Sequence, residues 1–309
     1  MRRWDRLLDE YLEECGTRGL SSITIYGRRL ELEKTGCWLK RLRPRRNLEE
    51  ISSDDLIRYI RSRMTCHSKA TVIGVVSILR GMWEFLVRRE VWSENPLRWM
   101  RGPKLDDRHR LPRRISQSHL RAIWKAAEGL RSKFNRHRDL CVLSLLYGTG
   151  LRRGELERLN VDDWDRESAT LKVDGRKTGQ ERVAVMGQGI WRCVEAYLPI
   201  RQSFLERTGH QEEPALFVNR RSERLSGQAL SRMVQGLARS ADVPFVTLHQ
   251  FRHSCASDLL ENGVPLPDVQ RVLGHSCIAS TMRYTHIADP QRTEAVTHHP
   301  INGMLSAVI

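Results

Sequence analysis

LHQFRHSCASDLLENGVPLPDVQRVLGHSCIASTMRYTHI, residues 248–287, reads as three short helices in succession. In the first, Phe251, Cys255, Leu259 and Leu260 recur at helical spacing and make a stripe to bury. His249 and Arg252 stand three apart, so a helix turns both to one face. Asn262-Gly263 ends it, because both residues tolerate the left-handed conformation of a helix terminus. Pro265 opens the second helix, with Leu266, Val269, Val272 and Leu273 inward; Gly274 stops it and His275 follows in a turn. Ser280 can cap the third, which carries Tyr284. Successive elements thus bring a guanidinium, two imidazoles and a phenol towards one cleft. That is the composition of a phosphoryl-transfer site.

Upstream of this stretch, a second region begins near Ser116. Ser118 is expected to cap a helix holding Ile123 and Trp124. Residues 136–147 are apolar almost all round, the mark of a deeply buried helix. Gly148-Thr149-Gly150 then leads into Leu151-Arg152-Arg153-Gly154-Glu155-Leu156. ATLKVD (169–174) and ERVAVM (181–186) have strand composition with Gly175 and Thr178-Gly179 between them, which predicts a hairpin. The rest to Arg239 reads as helix apart from a loop around Gly209–Pro214, and 285–309 as a tail of low periodicity.

The first hundred residues read as helices only: Arg3–Glu14; Ile23 to about Leu42 behind Ser21-Ser22; a third opened by Ser52 or Ser53; a fourth opened by Ser68. Ile25, Leu30, Leu32, Trp38 and Leu39 are the inward candidates of the second, and Val72, Val75, Val76, Leu79, Trp83, Phe85 and Leu86 form a wide face on the fourth. Trp83, Trp92 and Trp99 read as core, not as stacking platforms for bases. KLDDRHRLPRR (104–114) is nearly all charged and lacks periodicity, so it reads as a linker. The expected layout is a helical domain over 1–103, a basic linker over 104–114, a second domain over 115–290 and a tail over 291–309. The fold class is mostly α with a small β-sheet.

Composition narrows the partners. Lys+Arg number 52 against Asp+Glu 37, a formal net charge of +15, shared between both halves. Such an excess favours a polyanion, and nucleic acid is the default candidate. The 7 cysteines are odd in number and none pair as a metal knuckle; most fall in apolar patterns, as in a reducing cytoplasm. The N-terminus alternates charged and apolar residues and is not a secretion signal. The longest apolar run, around Leu140–Tyr147, is too short to span a bilayer. The expectation is a cytoplasmic protein, nucleoid-associated when bound to DNA, with no membrane partner.

Attack on a phosphodiester builds negative charge on its non-bridging oxygens, which guanidinium forks match in shape. Beyond Tyr197 the only tyrosine is Tyr284, which makes it the candidate nucleophile; Lys177, at the hairpin tip, suits protonation of a leaving alkoxide. No carboxylate cluster suggests two metals and no glycine-rich loop suggests a nucleotide cradle. These residues permit covalent catalysis with no metal and no cofactor.

At these positions the chain resembles the tyrosine recombinases, the phage-integrase and Xer-type family. Residues 150–156 resemble the family's first arginine box, which would make Arg152 catalytic and Glu155 its supporting acid. Residues 176–182 resemble the lysine turn, making Lys177 the general acid. His249-Gln250-Phe251-Arg252 resembles the H-x-x-R box, with His253 after it; Leu273-Gly274-His275 resembles the L-G-H box; Tyr284 stands where the family nucleophile stands. Singly each motif is weak, but the order and the spacing match together. Phe251 replaces a more usual leucine, and Arg176 stands where glycine is common before the lysine.

The resemblance covers essentially the whole chain. It implies an N-terminal core-binding (SAM-like) domain, a C-terminal catalytic domain and a 3′-phosphotyrosyl intermediate. Four protomers would act on two sites, as a homotetramer or with a related recombinase. The expected role is integration or excision of a mobile element, with Xer-like dimer resolution as the alternative. A topoisomerase of the IB type and a non-catalytic DNA-binding relative are the competing readings.

Overall fold

The computed structural model describes residues 2–42, 47–104, 114–175 and 182–274. The chain divides into two compact units, Met1–His109 and Arg110–Ile309. The expected linker lies mostly outside the described residues, as do Lys177, His275, Tyr284 and the tail.

The first unit is built from α1 (Arg2–Thr17), α2 (Ser22–Lys40), α3 (Ser53–Cys66) and α4 (Lys69–Arg88). Serine hydroxyls start three of them, because each accepts an otherwise orphaned N–H of the first turn. Ser21 takes Thr24 N–H at 3.3 Å, Ser68 takes Thr71 N–H at 3.3 Å, and Ser52 takes Asp55 N–H at 3.2 Å. The Asp55 carboxylate returns the bond to Ser52 N–H at 2.9 Å, a reciprocal capping box. Trp4, Leu8 and Tyr11 of α1, Leu32 of α2, Leu56 and Ile60 of α3, and Val72, Leu79, Trp83 and Leu86 of α4 fill the core. By length and composition α4 is apolar enough to cross a membrane, so the longest apolar segment is here and not at Leu140–Tyr147; its apolar face is this core. Two carboxylates are buried in the unit: Asp55 of that capping box, and Glu31, which accepts Tyr59 Oη–H at 2.7 Å and Arg63 at 3.0 Å.

Two expectations fail in this unit. Leu30 is exposed along with Ile23 and Tyr26, because the apolar residues of α2 do not share one face and the core covers only its Leu32 side. Trp99 is 84% exposed, with the Arg98 guanidinium over its ring, and is no core residue.

The second unit comprises α5 (Gln117–Glu128), α6 (Lys133–Thr149), α7 (Arg153–Arg158), β1 (Trp164–Asp165), β2 (Thr170–Val173), β3 (Arg182–Val185), α8 (Gln188–Thr208), α9 (Gly227–Ser240), α10 (Leu248–Glu261) and α11 (Leu266–Leu273). Cys141, Val142, Leu143, Leu145 and Leu146 bury α6 at the centre, as its pattern requires. The strands form an antiparallel sheet in the order β1-β2-β3, with Leu171 opposite Ala184. Alternation puts Leu171, Val173 and Ala184 inside and Val183 and Val185 outside.

Ser116, not Ser118, caps α5: its hydroxyl is the one that reaches a third-position amide, His119 N–H at 3.2 Å. The loop expected at 209–214 runs on to Ser226, the residue that caps α9. Side chains, not periodicity, hold it: Arg201 donates to the carbonyls of Glu213 and Ala215, and Arg224 to those of Glu157 and Leu159. Of the described cysteines, Cys15, Cys141 and Cys255 are buried, Cys193 is half-buried, and Cys37 and Cys66 are exposed; Cys277 lies outside the described residues.

α10 is fixed along its length. Thr247 and Gln250 form its capping box. Ile115 N–H donates to Ser254 Oγ at 2.9 Å, and Arg114 donates to Asp258 at 2.7 Å and to Glu261. Tyr147 of α6 donates to the same Asp258 carboxylate at 2.5 Å.

Candidate active site

The first arginine box begins where α6 must stop. Gly150 takes φ +59°, a left-handed cap that a side chain adopts at a cost. Leu151 plugs the core, and Arg152 becomes the residue just ahead of α7. Three positions on, Glu155 is 7% exposed and folds its carboxylate back. It accepts Arg152 N–H at 2.9 Å and an Arg152 guanidinium N–H at 2.6 Å. The spacing of Arg152 and Glu155 is thus that of a capping box, which both starts α7 and aims the arginine. Burial pushes the Glu155 carboxyl up. The N–H and guanidinium bonds from Arg152 and the charge of Arg182 outweigh it, and the group rests below its ordinary value.

The H-x-x-R box has a similar economy. Gln250 makes the helix cap, and Phe251 is fully buried against Trp124. The two intervening positions therefore build α10. His249 and Arg252 do not sit at equal depth, though one face was expected for both. His249 is exposed, with its ring 4.4 Å from that of His253, whereas Arg252 is 3% exposed. Arg252 reaches inward and donates to the Gly150 carbonyl at 2.5 Å and the Leu273 carbonyl at 2.7 Å.

These elements converge on the end of α11. Pro265 precedes its first residue, Val269 and Leu273 bury its inner side, and Gly274 (φ +62°) terminates it. Val272, expected inward, is 39% exposed. The last three carbonyls each accept from a different arginine. Val272 takes Arg182 at 2.6 Å, Leu273 takes Arg252 at 2.7 Å, and Gly274 takes Arg152 at 3.1 Å. A helix C-terminus carries partial negative charge, so cations are favoured there. His275 is the next residue of the chain.

Arg182 escaped the sequence reading as a site residue. Its signal was the alternation of β3: Arg182 shares the inner face with buried Ala184, and an arginine in that register needs a partner inside. It finds Glu155 at 3.2 Å as well as Val272. Among the described residues no three His, Cys, Asp or Glu come together as metal ligands. What is assembled is a cradle of guanidiniums braced by one carboxylate and by backbone, suited to an oxyanion such as a phosphodiester.

The phage integrase family matches residues 113–291. The tyrosine recombinase XerD of Staphylococcus saprophyticus is 31% identical over 298 residues, 93% of this chain and 96% of the relative. The tyrosine recombinase XerC of a Roseiflexus species is 31% identical over 297 residues, 94% of this chain and 92% of the relative. In fold, the chain is similar to a XerH recombinase bound to palindromic difH substrate (TM-score 0.73, 20% identity, 91% of this chain and 81% of that one). It is also similar to a lambda integrase dimer bound to a COC′ core site (TM-score 0.71, 18% identity, 91% and 76%). The site and the fold define a DNA strand-transferring enzyme. The chain belongs to the phage integrase family and is a tyrosine-type site-specific recombinase.

Proposed function

We propose that this recombinase cuts and rejoins duplex DNA through a 3′-phosphotyrosyl intermediate formed by Tyr284. The observation that carries the reading is the meeting of Arg152 and Arg252, from two boxes far apart in sequence, on consecutive carbonyls at the end of α11. Arg152, Arg252 and a donor from His275 hold the non-bridging oxygens of the scissile phosphate. The Tyr284 oxygen bonds to phosphorus as the bond from phosphorus to the 5′-oxygen breaks. Lys177 gives its proton to that 5′-oxygen, and His249 assists proton transfer. The energy of the broken bond stays in the phosphotyrosine, so a 5′-hydroxyl of the partner strand reverses the step without a cofactor.

The N-terminal unit, residues 1–103, is the core-binding DNA clamp; 104–114 links it to the catalytic domain, 115–290, with 291–309 as tail. The positive charge of both halves supports phosphate contacts from each and a steep salt dependence. Four protomers act on two sites, and the protein works in the cytoplasm on the nucleoid. For the biological role, resolution of paired sites in the Xer manner is supported by the names of the relatives at least as well as integration or excision of a mobile element.

The test uses nicked suicide duplexes tiled from DNA flanking the gene and from the rest of the host chromosome. A denaturing gel reads the covalent adduct, with Tyr284→Phe alongside. An adduct lost in Y284F is expected. An adduct that survives removes Tyr284 as nucleophile. A reactive tile beside the gene favours the mobile-element role, and one elsewhere in the chromosome favours the Xer-type role.

A further inference from the structure

We propose that Arg182 is a positioning residue of the recombination reaction: by bridging the Glu155 carboxylate and the Val272 carbonyl it locks the Arg152 box to the end of α11. The inference rests on the reading of Arg152 as a holder of the scissile phosphate.

Four observations carry it. Arg182 adds a third link between the Arg152 box and the end of α11, beside those of Arg152 and Arg252: it bonds to Glu155 at 3.2 Å and to the Val272 carbonyl at 2.6 Å. Its side chain is 12% exposed and Glu155 7%, so the Glu155 half of the bridge is largely withdrawn from water, where such bonds count for more. Gly274 is built around it: a Cβ there would overlap Arg182 Cδ and lie 2.7 Å from its Nε. Finally, Glu155 has no slack, since its two oxygens already accept the Arg152 N–H and guanidinium.

The geometry also separates two routes of action for Arg182. Arg182 stands at the start of β3, and its guanidinium points to Glu155 and α11. Its influence therefore runs through the phosphate-holding arginine and not through protonation of the leaving group. Without it, the bonds of Arg152 to Gly274 and of Arg252 to Gly150 and Leu273 remain, but Glu155 loses its own tether to α11 and the Arg152 box is held there less firmly. Misplacement on the scale of an ångström costs such reactions roughly 100-fold.

The experiment is single-turnover cleavage by the full chain on the duplex tile that gives the wild-type adduct, comparing Arg182→Gln and Arg182→Lys. Binding to the same tile and the thermal midpoint are followed in parallel. We expect R182Q to slow adduct formation roughly 10- to 100-fold with DNA affinity within about twofold. R182K, which keeps the charge but cannot fork, should recover part of the rate. R182K carries the comparison if R182Q fails to fold. A second duplex carries sulfur in place of the bridging 5′-oxygen, a leaving group that departs without a proton. The defect should persist on it. Rescue by sulfur would place Arg182 on the leaving-group side and overturn the proposal, as would an R182Q rate equal to the wild type. A wild-type chain that forms no adduct on any tile would instead refute the reading of the site itself.

Discussion

Gly150→Ala probes how closely the end of α6 is tied to the end of α11. Two terms add. The left-handed φ of +59° costs an alanine about 1–2 kcal/mol. The new Cβ would overlap Leu273 Cδ2, and Leu273 is fully buried, so it has no free space to turn into. Overfilling such a core costs about 1–3 kcal/mol. Cys255 Sγ at 3.5 Å and Arg252 Cγ at 3.7 Å would stand at ordinary contact and add nothing. The expected loss is therefore about 2–5 kcal/mol. The steric part can be isolated with Leu273→Val, which removes the clashing carbon and alone costs about 0.5–1.5 kcal/mol. In G150A/L273V only the backbone term should remain, so the double mutant should be about 1–3 kcal/mol more stable than the sum of the singles. Because the chain has two units, a global urea curve mixes two transitions. Hydrogen exchange of α6 peptides along a urea series follows the second unit alone. Additivity of the two substitutions within about 0.5 kcal/mol would refute the packing argument.

Other outcomes follow from the same geometry. Glu155 has a lowered carboxyl pKa, so its contribution to stability is present above the ordinary value of 4.5 and is lost as pH falls through the lower folded value. Glu155→Gln should flatten the acid side of a urea-midpoint profile below the ordinary value of 4.5; parallel profiles for the two proteins would show that the carboxylate is not the group responsible. Arg252→Lys replaces a fork that spans the Gly150 and Leu273 carbonyls with a single ammonium. Adduct formation should fall roughly 100-fold at nearly unchanged DNA affinity, and a loss confined to binding would contradict it. Maleimide at pH 7.5, read by peptide mass, should modify Cys37 and Cys66 quickly and spare Cys15, Cys141 and Cys255 until the chain unfolds. Burial pushes the Cys255 thiol up to about 12 despite the nearby Arg252 charge, so rapid labelling there would mean that α10 and α11 separate readily.

Local rules carried much of the fold. Ser21, Ser52 and Ser68 start their helices because a hydroxyl next to an amide decides a helix end within a few residues. Gly150, Gly263 and Gly274 end theirs by the same short-range logic, each with φ positive. What the sequence concealed was decided at long range. β1 is two residues long and exists because Trp164 and Asp165 find Leu171 and Thr170 across a turn. Trp99 looks like core by residue type, yet nothing in its segment sets a face to bury it. The loop after α8 is ordered by arginines donating to carbonyls, bonds that leave no period behind. The site divides in the same way. The boxes holding Arg152, His249 and Arg252 were legible as local patterns. The bracing of Glu155 by Arg182 joins residues 27 positions apart and could be suspected only from the inward register of β3.

Charge counting explains why such a cradle exists before DNA arrives. Three guanidiniums gather around the end of α11, against one carboxylate and a helix terminus worth about half a negative charge. The described groups therefore leave a surplus of positive charge at the place where Arg152, the most exposed of the three, meets solvent. In a site assembled only on substrate binding, these cations would repel and scatter, and the phosphate would have to gather them. Here the carbonyls of Val272, Leu273 and Gly274 hold them apart at fixed positions, so the cost of bringing like charges together is met during folding. On the proposed function, a phosphodiester that enters would complete an existing imbalance and find donors already oriented, which is the condition under which electrostatic stabilisation favours the crowded, more negative transition state over the ground state.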